Sequence, residues 1–300
     1  MKSIEVENLT KFYGDKRGVE KISFSIEKGE VVGFIGPNGA GKSTTIHLLL
    51  NLIFPDSGTA RINGHDVVRK GMKVRKNIGY APSEVNYYPA LSVKELLNYS
   101  CNFYKKNVSE GKQIDSENNI RKFSDILGLD IERKVGDLSL GNKKKVALVQ
   151  SLIHDPDILI LDEPTNGLDP LVKKSFFDIL KAESEKGKTV FFSSHSLSDV
   201  QELCERVVFI KEGRIIDKGS ASFARRKLMK KVYVKSTYKV NLESLKNNFI
   251  SDLEKINGSE YKFMYTGEMN ELLRILNGME INDLKIEDAS LEEIFMHYYK

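Results

Sequence analysis

The strongest constraint on this chain is a glycine-rich loop between two apolar segments of different periodicity. Residues 31–35 are apolar at every position, which predicts a strand buried on both faces. The loop, residues 36–43, reads Gly-Pro-Asn-Gly-Ala-Gly-Lys-Ser. After it, apolar residues recur at the spacing of one helix face: Ile46, Leu49, Leu50 and Ile53. A strand, a glycine-rich turn and a helix in this order match the phosphate-binding P-loop pattern in full.

The chemistry of the loop indicates a nucleoside triphosphate. Its glycines allow backbone N–H groups to curve around phosphate oxygens, and the helix start adds its own N–H groups and positive dipole end. Lys42 has the reach to contact β and γ phosphates, and the Ser43 hydroxyl is a ligand for Mg²⁺. The alternative is a plain connecting turn, which the complete pattern disfavours. The predicted nucleotide contacts are Gly36, Pro37, Asn38, Gly39, Ala40, Gly41, Lys42, Ser43 and Thr44.

An acidic pair follows a second buried strand. Asp162 and Glu163 come directly after the aliphatic run at residues 158–161. Side chains alternate in direction along a strand, so adjacent carboxylates can serve different tasks. We expect Asp162 to hold Mg²⁺ through water and Glu163 to orient or deprotonate the attacking water. Without the P-loop, a solvated turn would be an equally good interpretation.

His195 ends a third apolar strand. Ligands of open α/β sheets bind beyond the carboxyl ends of the strands, and this is where His195 stands. An imidazole there could hydrogen-bond the γ-phosphate. The alternative is a structural histidine in the core or on the surface.

The order of segments predicts an α/β fold with two domains. Alternating patterns before residue 27 indicate antiparallel strands, and buried strands alternating with helices indicate a mostly parallel sheet covered by helices. Helical patterns dominate residues 85–153, as an insertion between two sheet strands. The composition changes near residue 221, after a hairpin at residues 207–219. We therefore expect a P-loop ATPase domain over residues 1–220 and a small α+β domain over 221–300.

The amino-acid composition limits the classes of protein to which this chain can belong. The net charge of +4 over 300 residues is too small to indicate a nucleic-acid-binding protein. Cys101 and Cys204 each fall on a helical apolar stripe, so we expect small core residues in a reducing cytosol rather than a disulfide. No apolar run approaches the roughly 18 residues of a membrane span. A function at a membrane would therefore need separate membrane-spanning partners.

Three further motifs complete a resemblance to the nucleotide-binding subunits of ABC transporters over roughly residues 1–220. Residues 138–142, Leu-Ser-Leu-Gly-Asn, resemble the family's signature motif at the start of a helix. Residues 167–169, Gly-Leu-Asp, resemble its D-loop, and His195 matches its switch histidine. The resemblance implies an ABC-type ATPase fold with N-terminal antiparallel strands and an inserted helical subdomain.

This resemblance also implies cofactors, roles and partners. Ser139 and Gly141 match positions that contact the γ-phosphate of ATP on the opposite subunit, Asp169 matches a position that links the two sites, and Tyr13 matches the aromatic residue that stacks on adenine. Ser139 is also a natural helix N-cap, and Tyr13 could instead be a packed strand-end tyrosine. The implied cofactors are ATP and Mg²⁺. The implied partners are a second nucleotide-binding subunit, identical or different, and a separate transmembrane permease, with the chain on the cytoplasmic face of the cell membrane.

The sequence departs from the family pattern at two motifs. Leu140 replaces the first signature glycine and Asn142 the usual glutamine, while the contacting Ser139 and Gly141 are present. Ser83 stands where the family has a glutamine that touches Mg²⁺ and senses the membrane partner. Ser83 is shorter, and Glu84 would substitute only if the loop shifted. The metal role of Ser83 therefore stays open, whereas Glu163 and His195 are retained.

The tail resembles an accessory domain of exporter-type members of the family. Residues 284–295 carry the similarity, with Ser290 as an expected N-cap, Glu293 completing a capping box, and one apolar face made by Leu291, Ile294 and Phe295. This favours ATP-driven export over import. The transported substrate contacts the membrane subunit and cannot be deduced from this chain.

Two other classes of function stay open. A soluble ABC ATPase of translation or DNA repair typically has two cassettes or long coiled coils, and this chain has one cassette and no sustained heptads. The basic run at residues 143–145 could indicate RNA, but a solvated helix face is the expected explanation. A module that only senses ATP would hydrolyse it slowly and independently of any membrane protein.

Overall fold

The computed structural model describes residues 1–105, 115–220, 229–237, 249–277, 280–289 and 293. The chain divides into two units, Met1–Ala221 and Ser222–Lys300. In the first unit the described strands are β1 (Lys2–Tyr13), β2 (Lys16–Glu27), β3 (Val31–Ile35), β4 (Ser57–Ile62), β5 (His65–Asp66), β6 (Ile78–Ala81), β7 (Ile158–Asp162), β8 (Thr189–Ser194), β9 (Arg206–Lys211) and β10 (Arg214–Ser220). Its described helices are α1 (Lys42–Leu49), α2 (Gly71–Arg75), α3 (Val93–Lys105), α4 (Ser116–Ile126), α5 (Leu140–Leu152), α6 (Pro170–Glu185) and α7 (Leu197–Leu203), with a 3₁₀ turn at Val135–Asp137.

The centre of the first unit is a six-stranded sheet in the order β10-β9-β3-β8-β7-β6. Neighbouring strands from β9 to β6 run parallel, and β10 pairs antiparallel with β9 at the edge. Every residue of β3, β7 and β8 is buried, as expected for strands covered on both faces. The predicted α/β fold with a mostly parallel sheet is confirmed. Because these strands are parallel, their carboxyl ends meet at one edge.

A second sheet lies against the first and is antiparallel, in the order β2-β1-β4-β5. Phe24 of β2 stacks on Phe34 of β3 and on Phe191 of β8, with ring centroids 5.7 Å apart in both pairs. These rings and the aliphatic residues around them form one core between the two sheets. The predicted N-terminal antiparallel strands are confirmed, and the core holds the P-loop strand in place.

The structure differs from the expectations for this unit at two places. The helix after the P-loop ends at Leu49 rather than running on through Ile53, because Asn51 turns left-handed with φ 53°. Strand β4, which begins at Ser57, was not predicted. Only Ala60 and Ile62 of β4 are buried, so the strand has too short an apolar alternation to be identified from sequence.

The helical insertion connects two hydrogen-bonded neighbours of the central sheet. β6 and β7 pair in parallel from Ile78 opposite Ile158 to Ala81 opposite Leu161, and α3, α4 and α5 lie between them in the chain. The helices start at Val93, after a loop, rather than near residue 85. Cys101 and Cys204 are both buried, as expected of core residues. None of the helices in the described ranges has the length and apolar character of a membrane span.

The second unit contains an antiparallel sheet in the order β12-β13-β11-β14. Its described elements are β11 (Lys230–Ser236), β12 (Ile250–Asn257), β13 (Glu260–Tyr265), α8 (Met269–Leu276) and β14 (Ile281–Asp288). Leu272 and Leu276 of α8 pack with Val232 and Phe263 in its core. The predicted α+β character is therefore found here. Of the expected capping box, Glu293 is described, whereas Ser290, Leu291, Ile294 and Phe295 lie outside the described residues.

We predict that the aromatic contact between the two sheets is a main source of stability in the first unit. Phe191 is 0% exposed, so Phe191→Ala leaves a cavity and should lower the free energy of unfolding by about 3–5 kcal/mol. Phe54→Ala is the matched control, because Phe54 is 63% exposed. Chemical denaturation of both variants measures the difference. Equal destabilisation by the two substitutions would contradict the packing described here.

Candidate active site

The P-loop joins β3 to α1 in a conformation that requires glycine. Gly39 and Gly41 have φ of 77° and 104°, in the left-handed region that favours glycine. A Cβ at Gly36 would lie 2.2 Å from the carbonyl oxygen of Ile210. The backbone can therefore curl at the end of β3 while staying packed against β9.

Lys42 is buried at the start of α1 and turns back over the loop. Its Nζ donates to the carbonyl oxygens of Gly36 and Pro37 at 2.9 and 3.1 Å. The same Nζ forms an ion pair with Glu163 Oε1 at 3.1 Å. The ammonium thus links the P-loop directly to the end of β7.

A cleft of about 610 Å³ opens over the P-loop. Tyr13, at the end of β1, lies at this cleft with 49% of its side chain exposed, as an adenine-stacking residue requires. A Cβ at Gly18 would lie 2.9 Å from the Tyr13 ring and 3.0 Å from the Thr44 methyl group, so glycine is needed for this close approach. The cleft is lined by Tyr13, Lys16, Arg17, Gly18, Asn38, Gly39, Gly41, Lys42, Ser43, Thr44, His47 and Glu163.

Several of these lining residues were not anticipated. Lys16, Arg17 and His47 add basic side chains around the cleft, and Gly18 shapes it. The basic pair Lys16-Arg17 next to Tyr13 was the available sequence signal. Of the predicted loop residues, Pro37 contributes a carbonyl to Lys42, and Ala40 is buried and accepts a hydrogen bond from Gly213 N at 2.8 Å.

Ser193 organises the two acidic residues from the neighbouring strand. Its hydroxyl donates to Asp162 Oδ1 at 2.6 Å and accepts from Glu163 N at 3.0 Å. Glu163 has φ 46°, a strained value for a residue with a side chain, and its carboxylate meets Lys42 while Asp162 stays fully buried. The two carboxylates therefore occupy different environments, as the alternation argument requires.

Asp162 offers an oxygen for a cation. Among the described residues, Asp162 Oδ2 is buried and has no hydrogen-bond partner. Burial, followed by the charge of Asp162, raises the pKa of the adjacent Tyr80 to about 12. An unpartnered carboxylate oxygen is the ligand that Mg²⁺ prefers. No group of three His, Cys, Asp or Glu side chains in the described ranges could hold a metal, so the ion would need Ser43, water or phosphate oxygens as well.

His195 meets Glu163 at the carboxyl end of β8. Its Nδ1 lies 3.1 Å from Glu163 Oε2, and the same oxygen accepts from Asn166 Nδ2 at 2.7 Å. The structure therefore brings two predicted residues, Lys42 and His195, onto the carboxylate of a third, Glu163. Asn166 is an addition that sequence reasoning missed.

A buried carboxylate on α7 fixes the segment around His195. Asp199 accepts hydrogen bonds from Thr165 Oγ1 at 2.5 Å and from Ser196 Oγ at 2.7 Å, and it pairs with Lys173. Burial alone would raise the pKa of Asp199, but these partners, Lys173 first, hold it below its ordinary value. Asp199 thus joins the loop after Glu163 to the loop after β8.

The motif residues Ser139, Gly141 and Asp169 stand apart from the cleft. Ser139 Oγ accepts from Asn142 N at 3.3 Å as the N-cap of α5, and Asp169 Oδ1 accepts from Leu171 N and Val172 N at 3.1 and 3.0 Å as the N-cap of α6. In the described part of the chain, the cleft lining includes none of the three. Gly141 lies close to the D-loop, since a Cβ on it would be 3.1 Å from Gly167 O.

The loop at Ser83 is held from its backbone. The Ser83 side chain is exposed, whereas the carbonyl oxygens of Pro82 and Ser83 accept hydrogen bonds from Lys144 Nζ at 2.8 and 3.0 Å. The expectation of a solvated face for residues 143–145 is therefore wrong at Lys144, which is 3% exposed. The helix turns this position inward, towards the end of β6.

Comparisons with known proteins point to one family. A family model described as ABC transporter matches residues 19–166. The Nod factor export ATP-binding protein I of Burkholderia orbicola is 36% identical over 217 residues, which cover 72% of this chain and 70% of that protein. The bacitracin transport ATP-binding protein BcrA of Bacillus licheniformis is 31% identical over 303 residues, which cover 98% of this chain and 96% of that protein.

Solved structures show the same fold. The ATP-binding subunit of an ABC transporter has a TM-score of 0.68 at 30% identity, covering 75% of this chain and 92% of that one. A dimeric ATP-binding cassette in a post-hydrolysis state, bound to ADP and Pi, has a TM-score of 0.65 at 25% identity, covering 73% and 98%.

We predict that Ser193→Ala lowers the rate of ATP hydrolysis by about 10- to 100-fold, because the Asp162 carboxylate and the backbone N–H of Glu163 both lose their hydrogen bond to this hydroxyl. Ser151→Ala is the control: Ser151 is equally buried, but its hydroxyl bonds to Leu148 O within α5. Steady-state phosphate release measures both. A Ser193→Ala rate equal to that of Ser151→Ala would refute the positioning role of Ser193.

Proposed function

Because the chain belongs to the ABC transporter family, we propose that it binds and hydrolyses ATP to power export of a substrate through separate membrane-spanning subunits. The observation that carries this function is the junction of Lys42, His195 and Asn166 on the carboxylate of Glu163. This junction supports a role for the carboxyl ends of these strands in both phosphate binding and water activation. We also propose that residues 1–220 form the ATPase domain and 221–300 an accessory domain.

In this proposal, ATP enters the cleft with adenine against Tyr13 and its phosphates in the P-loop. The backbone of residues 36–44 and the Lys42 ammonium bind the β and γ phosphates. Ser43, and Asp162 through water, would hold Mg²⁺, which would supply positive charge to the phosphate oxygens. Ser83 is not assigned to the metal, because Lys144 holds its backbone and its side chain is exposed.

Glu163 is the proposed general base. Its Oε1 pairs with Lys42 Nζ at 3.1 Å. The γ-phosphate competes for that ammonium and leaves the carboxylate free to accept a proton from water. The water oxygen then bonds to the γ-phosphorus while the bond to the β-phosphate oxygen breaks, which yields ADP and phosphate. His195 and Asn166 contact Oε2 and orient the carboxylate. The imidazole of His195 would also hydrogen-bond the γ-phosphate.

A second cassette completes each site. Ser139, Gly141 and Asp169 do not join the cleft of their own chain, and the helix starts that carry them are flanked by the exposed side chains of Leu140 and Leu171. The N-terminus of α5 is suited to bind an anion through its N–H groups. We propose that these residues face the ATP of a partner cassette, in an isologous homodimer or a heterodimer with a similar subunit.

The membrane partner is proposed to be a separate permease, which would hold the chain at the cytoplasmic face. Large apolar side chains are exposed on and near the helical insertion, including Tyr88, Tyr99 and Phe103. Tyr88 lies in the loop between Ser83 and Val93, where we expect a coupling segment of the permease to dock. The rings of Tyr99 and Phe103 are in contact, with centroids 5.0 Å apart, and exposed apolar side chains that lie together typically mark a protein interface.

Export is favoured by a relative named for it, the Nod factor export ATP-binding protein I. The bacitracin transport protein aligns over 98% of this chain, including the second unit. A soluble ATPase of translation or DNA repair, or a module that only senses ATP, is not favoured by these relatives. The transported substrate is not determined by the ATPase subunit.

Glu163→Gln tests the proposed reaction. We predict a loss of turnover of about 100- to 10,000-fold with retained ATP binding, because the amide cannot accept the proton. The variant should also accumulate as an ATP-bound dimer, detected by light scattering. Glu132→Gln, at an exposed carboxylate paired with Lys94, is the control and should keep parental turnover. Turnover of Glu163→Gln within twofold of the parent would exclude Glu163 as the base.

A further inference from the structure

One buried charge beside the active site has no role in the reaction described above. Lys144 lies in the second turn of α5, and its Nζ donates to two successive carbonyl oxygens, those of Pro82 and Ser83. The neighbouring Lys143 and Lys145 are partly exposed. Among the residues that the structure describes, Lys145 Nζ donates to Gly128 O at 3.4 Å. Lys144 is therefore distinct from the rest of the basic run.

The loop that Lys144 holds is next to the reacting groups. Ala81 pairs with Leu161, so the chain leaves β6 beside the point where Asp162 ends β7. Burial lowers the pKa of Lys144, and the negative charges of Asp162 and Glu163 act against that shift. The ammonium thus lies within the electrostatic reach of both carboxylates while its donors satisfy the loop backbone.

A cation is suited to this position. Carbonyl oxygens are neutral acceptors. Two of them accept hydrogen bonds from the ammonium of Lys144 without cancelling its charge. The remaining positive field acts on Asp162 and Glu163 in surroundings of low dielectric constant. An apolar side chain of the same length could fill the space. It would provide neither the two hydrogen bonds to the loop carbonyls nor the positive charge near Asp162 and Glu163.

We propose that Lys144 is a positioning residue for ATP hydrolysis, which couples the signature helix α5 to the loop at Ser83 and to the two carboxylates. This inference rests on the proposed function. Ser139 is the N-cap of α5 and Gly141 lies in its first turn. If the nucleotide of the partner cassette displaces this helix, Lys144 moves with it. Among the described residues, the backbone carbonyl of Ser83, rather than its exposed side chain, joins this loop to Lys144 of α5.

Lys144→Met tests the proposal, because methionine keeps much of the side-chain length and removes the charge and donors. We expect kcat to fall by about tenfold or more, with KM for ATP within about threefold of the parent, since the P-loop contacts are untouched. Backbone amides of residues 83–86 should exchange hydrogen faster. Lys145→Met, on the same helix, should match the parent in all three measurements. Lys144→Arg, which keeps the charge and donors, should retain more kcat than Lys144→Met.

Each other outcome overturns the assignment. If Lys144→Met has kcat within twofold of the parent, or if Lys144→Arg is as slow as Lys144→Met, Lys144 does not position the reacting groups. If circular dichroism shows Lys144→Met unfolded, Lys144→Gln replaces it, and failure of both to fold makes Lys144 a structural residue only. Absence of ATPase activity in the parent would instead contradict the proposed function.

Discussion

The ion pair between Lys42 and Glu163 is the interaction on which the site depends. It joins the start of α1 to the end of β7, two elements far apart in the chain, and it pairs a buried ammonium with a carboxylate that is 15% exposed. A buried charge is tolerated only when it is paired and hydrogen-bonded. Here the loop carbonyls satisfy the ammonium, while Asn166 and His195 satisfy the carboxylate. The pair stabilises both groups in their charged forms. A γ-phosphate can replace the Glu163 carboxylate as the partner of the Lys42 ammonium.

The sheet explains why these groups meet at all. The carboxyl ends of β3, β7 and β8 lie side by side in register, and each of these strands leads directly into a reactive segment. The aromatic packing of Phe24, Phe34 and Phe191 fixes β3 and β8 relative to the outer sheet. Stability and chemistry are therefore linked through the same strands, whose middles form the core and whose ends form the site.

Much of this arrangement could be predicted from the sequence, because the main reactive residues directly follow apolar strands. Glu163 and His195 were identified in this way, and Lys42 was identified from the glycine-rich loop between a strand and a helix. Ser193, Asp199 and Lys144 were not, since their roles depend on which strand or loop lies across from them. Ser193 acts because β8 neighbours β7, and Lys144 acts because α5 packs beside β6. β4 was missed for a different reason: its apolar alternation covers only Ala60 and Ile62, which is too short to be recognised. Pairing partners of this kind are not encoded in any local pattern.

The central claim is that each reaction centre is shared between two cassettes, with Lys42 from one chain and Ser139 from the other. Mixing the variants Lys42→Ala and Ser139→Ala tests it most directly. In an isologous dimer, half of the mixed population pairs the two variants, and each such pair has one intact site, so about a quarter of the parental ATPase rate should return. A mixture no more active than the separate variants would show that a single chain holds its whole site.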